Sequence, residues 1–190
     1  MSDMREIVLL RHGQTDWSAA GRHTSFTDLG LTAEGERQSA HLGDVLASRA
    51  FAAVLSSPLR RAQQTAVLAG LTVTATDDDL LEWNYGAYEG RTTAEIRKER
   101  PGWSVWTDDS PGGESAAQVG IRADRVLDRV RAMLPSGDVA LVGHAHQLRV
   151  LTARWLGLAP SAGALFRLET ATLSVLGYER ENAVLLRWNG

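Results

Sequence analysis

Apolar runs and amphipathic segments alternate along the chain, and their order predicts the fold class. The runs 7–10, 52–55 and 139–142 are continuously apolar and bounded by polar residues, as in strands of a parallel sheet that is covered on both faces. The segment 71–76 alternates between apolar and polar residues and predicts a further short strand. Three closing strands are expected over 166–168, 172–178 and 183–188.

Segments with helical spacing of apolar residues lie between these runs. A helix over 34–48 follows the capping residue Thr32 and carries Leu42, Val45 and Leu46 on one face. Further helices are predicted over 58–69, 92–100, 114–134 and 148–156.

The segment 77–113 has no long period and is rich in glycine, aspartate and aromatic residues, so we expect a partly irregular lobe there. The alternation of strands and helices elsewhere predicts an α/β fold with a mainly parallel central sheet flanked by helices. No internal repeat or linker divides the sequence. A single layered domain over 1–190 is therefore expected.

Composition narrows the possible partners. The 190 residues carry a net charge of -3 with acids and bases interspersed, so no basic stripe is available for nucleic acid or an anionic membrane. The sequence has no cysteine, which excludes a thiolate as nucleophile or metal ligand. The run 7–10 is too short for a signal-peptide core or a membrane span, so a cytoplasmic location is expected.

Charged and imidazole side chains follow three of the predicted strands. The first strand runs into Arg11-His12-Gly13, the second into a segment that contains Arg61, and the third into His144. Ligands of open α/β sheets bind at the carboxyl ends of the strands, so these side chains are expected to converge.

An anion is the ligand that this chemistry favours. A buried arginine keeps its proton and needs a negative partner, and its planar fork matches phosphate oxygens. A histidine such as His12 is neutral near pH 7 and is able to attack phosphorus when its other ring nitrogen is held by a backbone acceptor. Gly13 is expected to let the backbone approach the ligand.

These residues form part of a larger pattern. The segment Leu9-Leu10-Arg11-His12-Gly13-Gln14-Thr15-Asp16-Trp17 resembles the signature of the histidine phosphatase superfamily, also called phosphoglycerate mutase-like. Further segments agree in order along nearly the whole chain: Asp28 with Leu31-Thr32 and Gly35, 57–65, 81–90, 111–115 and Val142-Gly143-His144.

The resemblance implies a metal-independent phosphatase without a cofactor. By position in the motifs, His12 is the nucleophile, Arg11, Arg61 and His144 hold the phosphoryl group, and Glu82 donates a proton to the leaving oxygen. To hold that proton, Glu82 is expected to lie partly desolvated among aromatic rings. Arg61 matches the motif better than its neighbour Arg60.

The substrate is expected to be a small-molecule phosphomonoester, because the whole resembles small bacterial acid phosphatases of broad specificity. Ser18 and Ala145 stand where the family often has asparagine and glycine, which bears on the substrate class. A homodimer is the oligomer considered. The candidate substrate-binding residues are Ser18, Arg22, His23, Thr24, Tyr85 and Ala145.

Other interpretations are weighed beside this one. His144 and His146 could join His12 in a metal site, although residues two apart at a helix start point in different directions. A phosphoglycerate mutase would need cations for the substrate carboxylate, and Trp106 is followed here by Thr107-Asp108-Asp109, whose acids are expected to repel it. A non-catalytic phosphate-binding protein is the third alternative.

Overall fold

In the computed structural model, which describes residues 5–190, six strands form one mixed sheet. The strands are β1 (Ile7–Arg11), β2 (Phe51–Ser56), β3 (Ala75–Thr76), β4 (Asp138–Gly143), β5 (Leu173–Glu179) and β6 (Asn182–Arg187). Their spatial order is β3-β2-β4-β1-β5-β6, with parallel pairing from β3 to β1 and antiparallel pairing of β1 with β5 and of β5 with β6. The prediction of a mainly parallel α/β sheet is confirmed.

Helices cover both faces of this sheet, as expected. The period-two pattern of β1 divides the core, because Ile7 and Leu9 pack with the fifth and sixth helices and Val8 and Leu10 with the second and third. The helices are α1 (Asp16–Ala19), α2 (Ala33–Leu46), α3 (Arg60–Leu68), α4 (Thr93–Glu99), α5 (Ala116–Met133) and α6 (Ala145–Trp155).

Several boundaries differ from the predictions. Helix α6 begins at Ala145, three residues before the predicted start, and its first turn lies at the end of β4. The predicted strand over 71–76 is reduced to Ala75–Thr76. Leu42 and Leu46 of α2 are buried, whereas Val45 is 40% exposed, so the apolar face of α2 is narrower than expected.

The expected strand over 166–168 is absent from the described chain. The carbonyl of Arg167 accepts hydrogen bonds from the side chains of Trp188 and Asn189, and the carbonyl of Leu168 accepts one from Arg11. Side chains therefore take the places that a neighbouring strand would fill.

The irregular lobe over 77–113 is organised by buried aromatic rings. Two short 3₁₀ turns, Asp78–Leu80 and Gly86–Tyr88, and helix α4 are its regular elements among the described residues. Trp83 and Trp103 are buried and belong to the hydrophobic core. No helix within residues 5–190 has the length and apolar character needed to cross a membrane. The expectation about the amino-terminal segment partly concerns residues 1–4, which lie outside the described range.

Strand register brings the chemistry-bearing loops together. Arg11 of β1 lies opposite Gly143 of β4, and Ser56 of β2 lies opposite Val142. Because the three strands are parallel, the residues that follow them emerge at the same edge of the sheet. His12, Ser57 and His144 are these following residues.

Candidate active site

His12 has the hydrogen bond expected of a nucleophile. Its Nδ1 lies 2.7 Å from the carbonyl oxygen of Gly13, which accepts a hydrogen bond from the N–H at that position. Burial lowers the pKa of His12 well below its usual value of 6.5, and the charges of Arg11 and Arg61 lower it further. The ring is therefore neutral, and Nε2 keeps its lone pair.

Arg11 presents an unsatisfied donor beside this ring. Its Nη1 donates a 2.5 Å bond to the carbonyl of Leu168. Its Nε is buried and has no hydrogen-bond partner among residues 5–190. Buried polar groups are normally satisfied, so a ligand with acceptor oxygens fits this position.

Arg61 lies fully buried behind the nucleophile and is held by main-chain oxygens. Its guanidinium donates to the carbonyls of Thr24, Ser25 and Thr27 at 3.0 to 3.3 Å. Its Nε donates to Nδ1 of His144 at 3.2 Å. The choice of Arg61 over Arg60 agrees with this placement, because Arg60 is exposed.

His144 lies between Arg61 and Ser57. Because Nδ1 accepts from Arg61, the proton is on Nε2, which donates to the hydroxyl of Ser57 at 2.8 Å. Burial lowers the pKa of His144 well below its usual range, with the nearby charge of Arg61 as the next cause. Its ring centroid is 5.1 Å from that of His12. Ser57 had not been predicted as a site residue.

Glu82 is buried, but its surroundings differ from those expected. Its Oε1 accepts from the backbone N–H groups of Trp83 and Gln147 at 2.8 and 2.9 Å, and its Oε2 accepts from that of His146 at 3.1 Å. Two of these donors belong to the first turn of α6, where N–H groups have no partner within the helix. Backbone dipoles, rather than aromatic rings alone, therefore position the carboxyl group.

One cavity of about 270 Å³ joins most of the predicted residues. Arg11, His12 and Glu82 line it, while Arg61 and His144 do not and contact the site from behind. All six candidate substrate-binding residues also line it: Ser18, Arg22, His23, Thr24, Tyr85 and Ala145.

Two of the sequence-based roles change with the structure. A Cβ on Gly13 would lie 2.4 Å from the carbonyl oxygen of Gly35, so the glycine is required by packing against α2 rather than by a ligand. The hydroxyl of Ser18 donates to the carbonyl of Thr15 and accepts from its N–H, forming the cap of α1. The hydroxyl of Ser18 therefore forms its hydrogen bonds with the backbone of Thr15.

Aromatic and imidazole rings pack against one another along one wall of the cavity. His23 lies 4.6 Å from the ring of Tyr85, and the hydroxyl of Tyr85 lies 2.6 Å from Nδ1 of His146. Burial lowers the pKa of His23 to about 4 and holds that of His146 well below its usual range. These imidazoles are neutral and add no charge near the nucleophile.

Of the three histidines considered for a metal, His144 has no ring nitrogen to spare. Both ring nitrogens of His144 are bonded to protein groups, and His146 shares Nδ1 with Tyr85. Within residues 5–190, no group of three or more candidate ligands has the arrangement of a metal site. Metal independence stays a prediction.

Sequence reasoning missed the basic residues at the far wall, Arg149 and Arg167, which line the same cavity. Arg149 was missed because the predicted start of α6 was wrong. With Ala145 as the first residue of α6, Arg149 lies one turn later on the same face of the helix as Ala145. The acids expected to repel an anion are also placed differently. Asp108 accepts from Ser104 and Thr107, Asp109 pairs with Arg100, and neither lines the cavity.

Comparison with known proteins agrees with this geometry. Residues 7–190 match the histidine phosphatase superfamily (branch 1). An acid phosphatase of Mycobacterium tuberculosis is 43% identical over 94% of this chain and 91% of its own, and a probable phosphoglycerate mutase of Yersinia enterocolitica is 32% identical over 97% and 90%. A solved structure of a Mycobacterium tuberculosis open reading frame superposes with a TM-score of 0.94 at 41% identity, covering 97% of both chains.

Proposed function

Because the chain belongs to branch 1 of the histidine phosphatase superfamily, we propose that it hydrolyses phosphomonoesters through a phosphohistidine formed on His12. Phosphatase activity follows from the family and from the similarity to an acid phosphatase. The observation that carries the assignment of His12 is its bond from Nδ1 to the carbonyl of Gly13, which leaves the Nε2 lone pair for attack.

In the first step, Nε2 of His12 forms a bond to phosphorus as the bond from phosphorus to the ester oxygen breaks. Glu82 gives its proton to that oxygen, so the alcohol leaves neutral. Arg11 lines the cavity and faces the charge that spreads over the remaining oxygens, while the buried Arg61 adds positive charge from behind His144. Fixed cations stabilise this charge without reorganisation. The cationic donors thus supply most of the stabilisation.

In the second step, water attacks the phosphohistidine, the bond from nitrogen to phosphorus breaks, and the carboxylate of Glu82 takes the proton from water. Oε2 is the oxygen suited to both transfers, because it accepts one N–H bond while Oε1 accepts two. His144 acts as a positioning residue, since its two nitrogens hold Arg61 and Ser57.

An acidic working range agrees with the histidine environments. A lowered pKa means that His12 stays neutral, and therefore nucleophilic, as the pH falls below 6.5. A small-molecule phosphomonoester suits a cavity of about 270 Å³. We propose that the protein is a broad-specificity acid phosphatase that needs no metal or cofactor. We also propose that it acts in the cytoplasm and has no nucleic-acid or membrane partner, and a homodimer is the oligomer to test.

Vanadate is expected to inhibit the enzyme competitively, and a chelator is expected to leave activity unchanged. Vanadate adopts the five-coordinate geometry of phosphorus during transfer, so it would bind His12 and Arg11, which line the cavity. Steady-state hydrolysis of p-nitrophenyl phosphate, with and without dialysis against chelator, checks both. Stoichiometric zinc, or activity lost on dialysis, would instead support a metal site at His144 and His146.

Phosphoglycerate mutase is the second candidate, favoured by the 32% identical relative from Yersinia enterocolitica. A mutase must retain its bisphosphate intermediate, and the segment after Trp106 brings no cation for this purpose, because Thr107, Asp108 and Asp109 follow and lie outside the cavity. We expect 3-phosphoglycerate to release phosphate faster than it forms 2-phosphoglycerate, even with added bisphosphate. Interconversion that outpaces phosphate release, followed by coupled assay, would identify a mutase.

A further inference from the structure

Arg149 is a fixed cation on the wall of the cavity that contains His12. Its Nε donates to the carbonyl of Gly163 at 3.0 Å, and its Nη2 donates to that of Ala164 at 3.2 Å. Its Cζ lies 4.4 Å above the ring of Trp106. Two of the five N–H donors are thus used to orient the group, and the others remain for a ligand.

No carboxylate in residues 5–190 forms an ion pair with Arg149. Two other arginines of the cavity are paired, Arg22 with Glu95 at 3.8 Å and Arg167 with Glu169 at 2.7 Å. Burial lowers the pKa of Arg149, which records the cost of holding its charge away from water. An uncompensated, partly buried charge calls for an anion.

The charge balance of the reaction leaves Arg149 in excess. A phosphomonoester brings about two negative charges at neutral pH, and Arg11 and Arg61 match them. Glu82, the one carboxylate among the described residues of the cavity wall, must hold a proton when it acts as an acid. The neighbouring His23 and His146 are neutral. Arg149 therefore has no counter-charge in the reacting complex unless the substrate supplies it.

Helix geometry separates Arg149 from the N–H groups that hold the proposed proton donor, Glu82. Arg149 lies four residues after Ala145 on α6, a distance of about 6 Å along the helix axis. The first turn of α6 holds Glu82, and the next turn carries Arg149. A substrate with its phosphoryl group at His12 would thus meet Arg149 with its distal part.

We propose that Arg149 forms a second anion subsite, and that the preferred substrates are phosphomonoesters carrying a further anionic group several bonds from the reacting phosphate. This inference rests on the proposed phosphatase function. The two carbonyl bonds and the ring of Trp106 orient the guanidinium before the substrate arrives, which reduces the entropy lost on binding.

Matched pairs of esters test the subsite. Glycerol 1-phosphate is compared with 3-phosphoglycerate, which adds a carboxylate, and fructose 6-phosphate with fructose 1,6-bisphosphate, which adds a phosphate. The selectivity ratio is kcat/KM for the anionic member divided by that for its partner, measured as phosphate release. In Arg149→Gln we expect this ratio to fall about 10- to 100-fold for at least one pair, mainly through KM, as for a lost charge-assisted hydrogen bond.

Arg131→Gln is the control, because Arg131 also lies over a tryptophan ring, that of Trp155 at 5.5 Å, but outside the cavity. Arg149→Lys keeps the charge and loses the fixed fork, so its ratio should lie above that of Arg149→Gln. If the selectivity ratio falls equally in Arg149→Lys and Arg149→Gln, or falls as far in Arg131→Gln as in Arg149→Gln, the subsite proposal is overturned. A native enzyme that hydrolyses all four esters with a ratio unaffected by Arg149→Gln also overturns it. A native enzyme that hydrolyses none would instead contradict the proposed function.

Discussion

Replacing His12 by alanine is expected to abolish turnover while the protein stays folded. The imidazole is the group proposed to bond phosphorus, and losing such a nucleophile costs a factor on the order of 10⁶ in kcat in another enzyme that forms a covalent intermediate. The fold should survive, because the ring contributes one hydrogen bond, to Gly13, worth about 1 kcal/mol. Circular dichroism and thermal unfolding check this second part.

The covalent step is measured with ³²P-labelled substrate. Phosphohistidine is stable in alkali and labile in acid, so the wild type should retain label after an alkaline quench and lose it after an acid quench. His41→Ala is the matched control, because His41 is exposed on α2 and far from the chemistry. Alkali-stable label on His12→Ala protein would show that another residue is the nucleophile.

Replacing Glu82 by glutamine is expected to slow alkyl phosphates far more than p-nitrophenyl phosphate. A general acid helps when the leaving oxygen is a strongly basic alkoxide, by about 10² to 10⁴ in rate. Nitrophenolate leaves readily without a proton. The ratio of kcat/KM for glycerol 1-phosphate to that for p-nitrophenyl phosphate reports formation of the phosphoenzyme alone and should therefore fall by that factor.

The hydrogen bonds of Glu82 also predict the cost of the substitution. The amide oxygen of glutamine is able to keep the bonds from Trp83 and Gln147, but its NH₂ then faces the N–H of His146. An unsatisfied buried donor costs about 1 to 3 kcal/mol, visible in thermal unfolding. Glu36→Gln, at an exposed position of α2, is the control. An equal fall of kcat/KM for both substrates would mean that Glu82 only positions the phosphoryl group.

Much of the fold could be predicted because its strands are unusually clear. Continuous apolar runs with polar ends specify β1, β2 and β4, and the residues after them lie at the edge of the sheet that holds the candidate site. The strand prediction was wrong where side chains, rather than a neighbouring strand, bond to the backbone. The segment 166–168 is apolar enough for a strand, yet its carbonyls are taken by Arg11, Trp188 and Asn189, which no local pattern indicates.

The part of the candidate site that follows the strands was predicted better than the part that depends on α6. His12, Arg11 and Arg61 lie in short motifs that follow strands, so their convergence could be inferred from topology. The setting of Glu82 could not, because its partners are backbone N–H groups of a helix whose start was misplaced. Arg149 was missed for the same reason, since its face of α6 depends on where α6 begins.

Backbone carbonyl oxygens hold Arg61, and this affects how substrate specificity changes during evolution. Thr24 holds this arginine through its carbonyl oxygen and also lines the cavity. Mutation changes side chains and leaves carbonyls in place, so we expect substitutions in this loop to alter which molecules are accepted without loosening the buried guanidinium of Arg61. Selection for a new substrate is thereby uncoupled from selection for the reaction itself.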